Sequence, residues 1–326
     1  MFLQKKSLKA ALVGTAIALA SGSAGAVDWI MASGYPASNF HTQNIQKFIS
    51  EVKATTSVNI NLNPNDTLIK LDAIKTSLQR GQIPIGEIRL GIYGNQDPMY
   101  ILAGLPFIAP NYSTAWMLKD VMREYIDNAF KDMGLRVLYY TPWPGQGFYT
   151  KFPVNSTSDF KGKKLRIYST ATQKMGEMLG FNATILPFAE IPQAFSTGLI
   201  EALFTSPQTG IDIQAWDNTK HFTYAGAIFS KNAVVVGEKH FSALSAKDQS
   251  NMLAAAAKAE LRGWEMSAAT TAAQMAILKK NGMTVANAPA SVIARMKDIG
   301  KEMMKGWRKD ASPKANAVLD RYIALQ

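Results

Sequence analysis

The stretch "GKKLRIYSTATQK" (Gly162 to Lys174) sets a single cation inside an apolar run. Alternation along "LRIY" sends Leu165 and Ile167 to one face and Arg166 and Tyr168 to the other. A guanidinium presents a planar donor fork that matches a carboxylate, and beside an aromatic ring it begins a carboxylate site. The same pattern also suits a surface arginine in a solvated ion pair. Other chemistry has little support. The histidines are His41, His221 and His240, none at metal-ligand spacing, and there is no cysteine, so no metal or other cofactor is expected. Nucleophile-elbow, Walker and G-x-G-x-x-G patterns are absent, and Gly145-Gln146-Gly147 reads as a turn. Glu87, Asp97 and Glu190 could do acid–base work, but no spacing pairs them. They read equally well as polar contacts, a turn before Pro98 and a helix start.

The elements that must position Arg166 follow from periodicity. "VDWIMASGYP" reads as a strand entering a loop, "NIQKFISEVKATT" as a helix, and "VNINLNP" as a half-exposed strand. In "DTLIKLDAIKTSLQRG" the residues Leu68, Leu71, Ile74 and Leu78 form a helical stripe that stops at Gly81. The pattern restarts at Gly134: strand "GLRVLYYTP", a Pro/Gly loop, strand "KGKKLRIYS", helix "TATQKMGEMLG", strand "ATILPF", a helix from about Glu190 to Thr197, and strand "IEALFTS". This alternation implies two α/β units. Ser245 with Asp248 then starts a run of helix formers reaching Gly282. Unbroken, it spans about 34 residues, roughly 50 Å, wide enough to cross both units as a shared spine. A break near Gly263 or Thr270 is the alternative.

The N-terminus carries Lys5, Lys6 and Lys9 before the apolar run Ala10 to Ala20 and then Ala24-Gly25-Ala26, the pattern of a secretory signal peptide cleaved after residue 26. Export to a bacterial periplasm is expected. The remaining 300 residues suffice for two cored domains without disulfides, and loss of three lysines lowers the formal charge from +11 to +8. The basic residues are dispersed, so no nucleic-acid partner is expected. Aromatic residues gather in loops after strands: Tyr35, Phe40, Tyr93, Trp143, Phe148, Tyr168, Phe204 and Trp216. In open α/β sheets such loops line ligand clefts, and two to four of these side chains are expected to touch a ligand.

The order of "GYPASNFHTQNIQKFISEV", "GNQDPMYILAGLPFIAP", "FKGKKLRIYSTATQKMGEMLG" and "PFAEIPQAFSTGLIEALFTSPQTGID" resembles the substrate-binding proteins of tripartite ATP-independent periplasmic (TRAP) transporters, of the dicarboxylate-receptor type. The resemblance covers the whole chain after the signal and is most specific at "GKKLRIYS" and the elements after it. It implies an α/β, two-lobed Venus-flytrap fold with a long helix spanning both lobes. Lobe I would comprise 27–143 and 232–271, lobe II 144–231 and 272–326. Arg166 falls on the family's carboxylate-clamping arginine. The family's polar amide after "VDG" corresponds to about Thr205 or Ser206, with Glu201 and Ala202 replacing Asp-Gly, and Glu87 matches a cleft-facing region of the first lobe. Tyr168, Gln146, Trp143, Phe40 and Gln208 complete the expected solute-binding set.

Some relatives with dicarboxylate or sugar-acid solutes carry a second basic residue in the loop where this chain has Gln146 and Trp143. The resemblance therefore implies a non-enzymatic receptor for an organic acid, a monocarboxylate with an apolar or aromatic body, handed by a monomer to TRAP permease subunits. The alternatives are a C4-dicarboxylate solute, an exported enzyme on the same fold, or a receptor feeding an ATP-driven importer or a sensor. Glu87 close to another titratable group in the cleft would favour the enzyme.

Overall fold

A computed structural model describes residues 27–326, so the expected signal peptide lies outside the described residues. The strands are β1 (Val27–Ala32), β2 (Val58–Asn63), β3 (Ile85–Arg89), β4 (Leu135–Pro142), β5 (Gly147–Thr150), β6 (Lys164–Ile167), β7 (Asn182–Ile185), β8 (Ala202–Thr205), β9 (His221–Tyr224), β10 (Lys231–Gly237) and β11 (Thr284–Asn287). They form two sheets, ordered β2-β1-β3-β10-β4 and β11-β9-β5-β8-β6-β7. In the first, β1 runs parallel to β2 and β3, while β10 returns antiparallel between β3 and β4. In the second, β5 is antiparallel to β8 and β9, and β6 is parallel to β7 and β8. Parallel pairs need crossovers, and helices supply them on the sheet faces.

The chain crosses between lobes at 143–146 and returns at 225–230. These segments hydrogen-bond each other: the Trp143 amide donates to the Ser230 carbonyl at 2.8 Å, and the Gly226 amide to the Gln146 carbonyl at 2.9 Å. The Gly145-Gln146-Gly147 stretch is therefore part of a linker that lets another chain segment come close. A Cβ on Gly147 would lie 2.3 Å from the Thr223 carbonyl oxygen, and one on Gly145 2.5 Å from the Tyr224 hydroxyl.

The third connection is the helix Ala246–Lys280, 35 residues without a break, its N-cap Ser245 side chain accepting from the Asp248 amide. At 1.5 Å per residue it is about 52 Å long. Its first half packs on helix Phe40–Thr55 and β4, its second on helix Pro207–Asp212 and β11. Gly263 stays helical and permits the closest approach: a Cβ there would lie 2.7 Å from Thr141 Oγ1 and 2.8 Å from Asn44 Nδ2. Next to it, the buried Glu260 accepts from Lys119 Nζ (2.7 Å), the Tyr140 amide (2.9 Å) and Arg123. A buried carboxylate with this many donors ties the spine to the first lobe.

Two expectations change. The stripe Leu68–Leu78 is a helix only over Ile74–Gln79, after a 3₁₀ turn Leu71–Ala73. Asn65 and Asp66 adopt left-handed backbone, and Asp66 Oδ1 accepts from the Leu71 amide at 2.8 Å, so side-chain capping delays the helix and leaves Leu68 exposed. The C-terminal region, expected with the second lobe, touches both lobes after β11. Helix Ala290–Asp310 lies against helix Thr170–Met178 of the second lobe, but its Trp307 Nε1 donates to the Pro98 carbonyl of the first at 2.6 Å. Helix Pro313–Ala324 packs on helix Tyr112–Asp132 of the first lobe, the Tyr322 hydroxyl donating to the Ile108 carbonyl at 2.8 Å. With β11 closing the sheet edge, the apolar stripes of these last helices are covered in part across the lobe boundary.

Candidate solute-binding site

Between the lobes lies a narrow cleft, about 320 Å³ of space between atoms that includes open solvent. Strand alternation brings in its cations. Arg166 on β6 is 1% exposed although Leu165 and Ile167 fill the core behind it. Its Nε donates to the Leu186 carbonyl at 3.0 Å, and its Nη2 has no hydrogen-bond partner among the described residues. A second guanidinium, absent from the sequence expectation, enters from the first lobe: Arg89 at the end of β3 lines the same cavity. Its Nη2 pairs with Asp72 at 3.1 Å, and its buried Nε is unpartnered among the described residues. Both guanidiniums lie over the Tyr168 ring, Arg89 5.7 Å and Arg166 5.9 Å from its centre. Burial, and after it the charge of Arg89, pushes the Arg166 pKa down to about 9, which leaves it cationic at neutral pH.

The remaining wall is aromatic and hydroxylic. Tyr35 and Trp143 meet edge-to-face with centroids 4.9 Å apart, and Tyr35 reaches Phe188 of the second lobe at 5.5 Å. Thr205, Thr209 and Ser230 add hydroxyls. Gln146 in the linker accepts from the Tyr168 hydroxyl at 2.6 Å and donates to Ser230 Oγ at 2.9 Å, so its amide orients both neighbours. Burial pushes the Tyr168 hydroxyl up to about 12, leaving it a neutral donor.

Of the expected set, Arg166, Tyr168, Gln146, Trp143 and Thr205 line this cavity. Glu87 does not. Its carboxylate accepts from Ser33 Oγ (2.6 Å) and Asn232 Nδ2 (2.8 Å), while His41 Nδ1 lies 3.2 Å away. Asn232 in turn accepts from Trp143 Nε1 at 2.9 Å, so Glu87 holds the tryptophan from behind. His41 is thus a titratable neighbour, the circumstance that would favour an enzyme. Yet the Tyr35 and Trp143 rings pack tilted against His41, centroids 6.0 and 4.3 Å away, and neither Glu87 nor His41 lines the cavity. Phe40 lies behind the same wall, 5.9 Å from Trp143. Ser206 caps helix Pro207–Asp212 by accepting from the Thr209 amide at 3.2 Å.

Gln208 belongs to a separate network between the lobes. Asp212 accepts from Asn39 Nδ2 of the first lobe and Gln208 Nε2 of the second, both at 2.7 Å, and Gln208 Oε1 accepts from Gln274 of the long helix at 2.7 Å. No cation pairs with Asp212 among the described residues, and burial pushes its pKa up to about 7. Of the eight aromatic candidates three line the cavity, Tyr35, Trp143 and Tyr168; Phe148 and Phe204 instead pack together in the second-lobe core. Alternation could have found Arg89, which follows Glu87 by two residues in "GEIRLG" and shares its face. Phe188, Thr209 and Ser230 carried no such signal.

Residues 31–310 match the DctP family, bacterial extracellular solute-binding protein, family 7. The chain belongs to this family. Among solved family structures, Bordetella pertussis DctP7, an extracytoplasmic solute receptor binding pyroglutamic acid, is 36% identical with a TM-score of 0.89, covering 91% of this chain and 99% of that one. B. pertussis DctP6, also binding pyroglutamic acid, is 34% identical with a TM-score of 0.89, covering 91% and 100%. Among curated relatives, the ectoine/5-hydroxyectoine-binding periplasmic protein UehA of Ruegeria pomeroyi is 24% identical over 245 residues, 73% of this chain and 72% of its own. The family-7 chain is thus a TRAP solute receptor with the two-lobed α/β fold and spanning helix of its relatives. Among its described residues no helix is long and apolar enough to cross a membrane.

Proposed function

We propose that this receptor works in the periplasm, captures a small cyclic monocarboxylate of the pyroglutamate type, closes its lobes on it and delivers it to an ion-gradient-driven TRAP permease. One observation carries the reading: two guanidinium groups, one from each lobe, face one small cavity with N–H groups that no described residue accepts. Bringing two cations together away from water is unfavourable, and a carboxylate placed between them reverses the sign of the interaction. Lobe closure is then coupled to the solute's charge. The aromatic wall of Tyr35, Trp143 and Phe188 suits a compact ring, and Thr205, Thr209 and Ser230 suit a ring amide. The pyroglutamate receptors above, at 36% and 34% identity, support the same solute class.

The expectation of a monocarboxylate therefore stands on a different footing from the sequence argument. That argument assumed no second cation, and Arg89 supplies one. The test is calorimetry with pyroglutamate on wild type and Arg166→Ala. Losing one partner of a buried charge pair costs about 2–5 kcal/mol, roughly 30-fold to several thousand-fold in affinity. Wild-type affinity in Arg166→Ala would overturn the proposal.

A further inference from the structure

Two arginines facing one cavity would by themselves invite a dianion, such as a dicarboxylate. The structure places a compensating charge on only one of them. Asp72, in the turn Leu71–Ala73, sits 3.1 Å from Arg89 Nη2; its side chain is 43% exposed, against 8% for Arg89. It does not line the cavity, so its charge acts on a solute from behind Arg89 rather than by contact. The other carboxylates nearby are engaged elsewhere, Asp66 with the Leu71 amide and Glu87 with Ser33, Asn232 and His41. Arg166 has no acidic partner among the described residues. The site thus holds one uncompensated cation and one that is already paired.

We propose that Asp72 is the residue that makes this two-arginine site selective for monoanions, by neutralising Arg89 from outside the cavity. The inference rests on the carboxylate reading of Arg166 given above. A monoanion cancels the remaining charge when the lobes close. A dianion brings a second carboxylate that Arg89 can still bond through its open Nε–H but whose charge it cannot balance, being already paired with Asp72, so an uncompensated charge enters the closed cavity. Asp72 is also the easier of the pair to change, because its exposed side chain contributes little packing.

The experiment compares pyroglutamate and succinate by calorimetry for wild type, Asp72→Asn, Asp72→Ala, the double variant Asp72→Asn/Arg89→Gln, and Arg166→Ala. Removing the acid should lower the ratio of succinate to pyroglutamate dissociation constants by about tenfold, the low end for a closely coupled charge pair. Both Asp72 variants should show it, so poor folding of one leaves the other to read. The double variant removes one charge of each sign and should return the ratio to the wild-type value, an outcome that a merely structural role for Asp72 does not give. An unchanged ratio in the Asp72 variants, or a ratio that stays shifted in the double variant, overturns the role of Asp72. If Arg166→Ala meanwhile loses pyroglutamate, the receptor reading survives that result. Wild-type pyroglutamate binding by Arg166→Ala instead overturns the reading beneath both.

Discussion

Lowering the pH should tighten solute binding, because closure buries Asp212. With the lobes together its carboxylate spans them, accepting from Asn39 on one side and Gln208 on the other, with no cation among the described residues to replace lost water. Burial raises its pKa from 3.8 to about 7. In separated lobes the side chain is solvated and returns to the ordinary carboxylate range. The sign follows from linkage: a carboxyl whose pKa rises on closure takes up a proton, so closure is penalised above the raised value and the penalty fades as pH falls through it. From these two pKa values, affinity should improve about tenfold between pH 8 and pH 6 and about a hundredfold by pH 5. These are upper limits that assume full solvation when open. The solute carboxylate stays ionised over this range, and Arg166 stays charged. Calorimetry in buffers of different ionisation enthalpy reads both the affinity and the proton uptake. The buried Lys231, pushed down to about 7, titrates over the same range, so Asp212→Asn is the control. The amide reproduces the neutral acid's single acceptor and should give a nearly flat profile. Affinity that does not change between pH 8 and pH 6, or that improves toward alkaline pH, would refute the reasoning.

Other outcomes follow from single residues. Arg166→Lys should recover only part of the affinity lost in Arg166→Ala, because the point charge lacks the donor fork, while neither variant lowers the melting temperature of the solute-free protein, since truncation removes an incompletely bonded buried cation. Lys231→Met should stabilise the fold: burial, with Lys119 adding to it, pushes the amine from 10.5 down to about 7, so folding expels a proton. That penalty is complete below the lower value and vanishes above the higher, so the gain in urea unfolding should be larger at pH 6 than at pH 9 by about 3 kcal/mol. Gly263→Ala should destabilise by about 1–3 kcal/mol despite alanine's better helix propensity, because its methyl meets Thr141 and Asn44 inside 3 Å. Denaturant midpoints check it, and a neutral or stabilised variant would show that the long helix can shift off β4.

How much was legible in the chain depends on how local the cause is. Alternation in "LRIY" put Arg166 on the face opposite Leu165 and Ile167, and the helix formers after Ser245 predicted a continuous spine, because strand pleat and helix hydrogen bonding operate within a few residues. The order of motifs from "GYPASNF" to "TSPQTGID" carried the two-lobed fold and the receptor class. The same local rule places Arg89 on Glu87's face but cannot say that β10 returns between β3 and β4, or that the lobes then meet with Arg89 opposite Arg166. It cannot separate Glu87, held behind Trp143 by Asn232, from a residue that faces the solute. Nor does it show that the last helices cross to the first lobe, or that Asn39 and Asp212, 173 positions apart, share a hydrogen bond. Those outcomes are set by which apolar surfaces remain uncovered once both sheets are complete. That is a property of the packed chain, and it decides which polar groups are stranded from water and so available to a ligand.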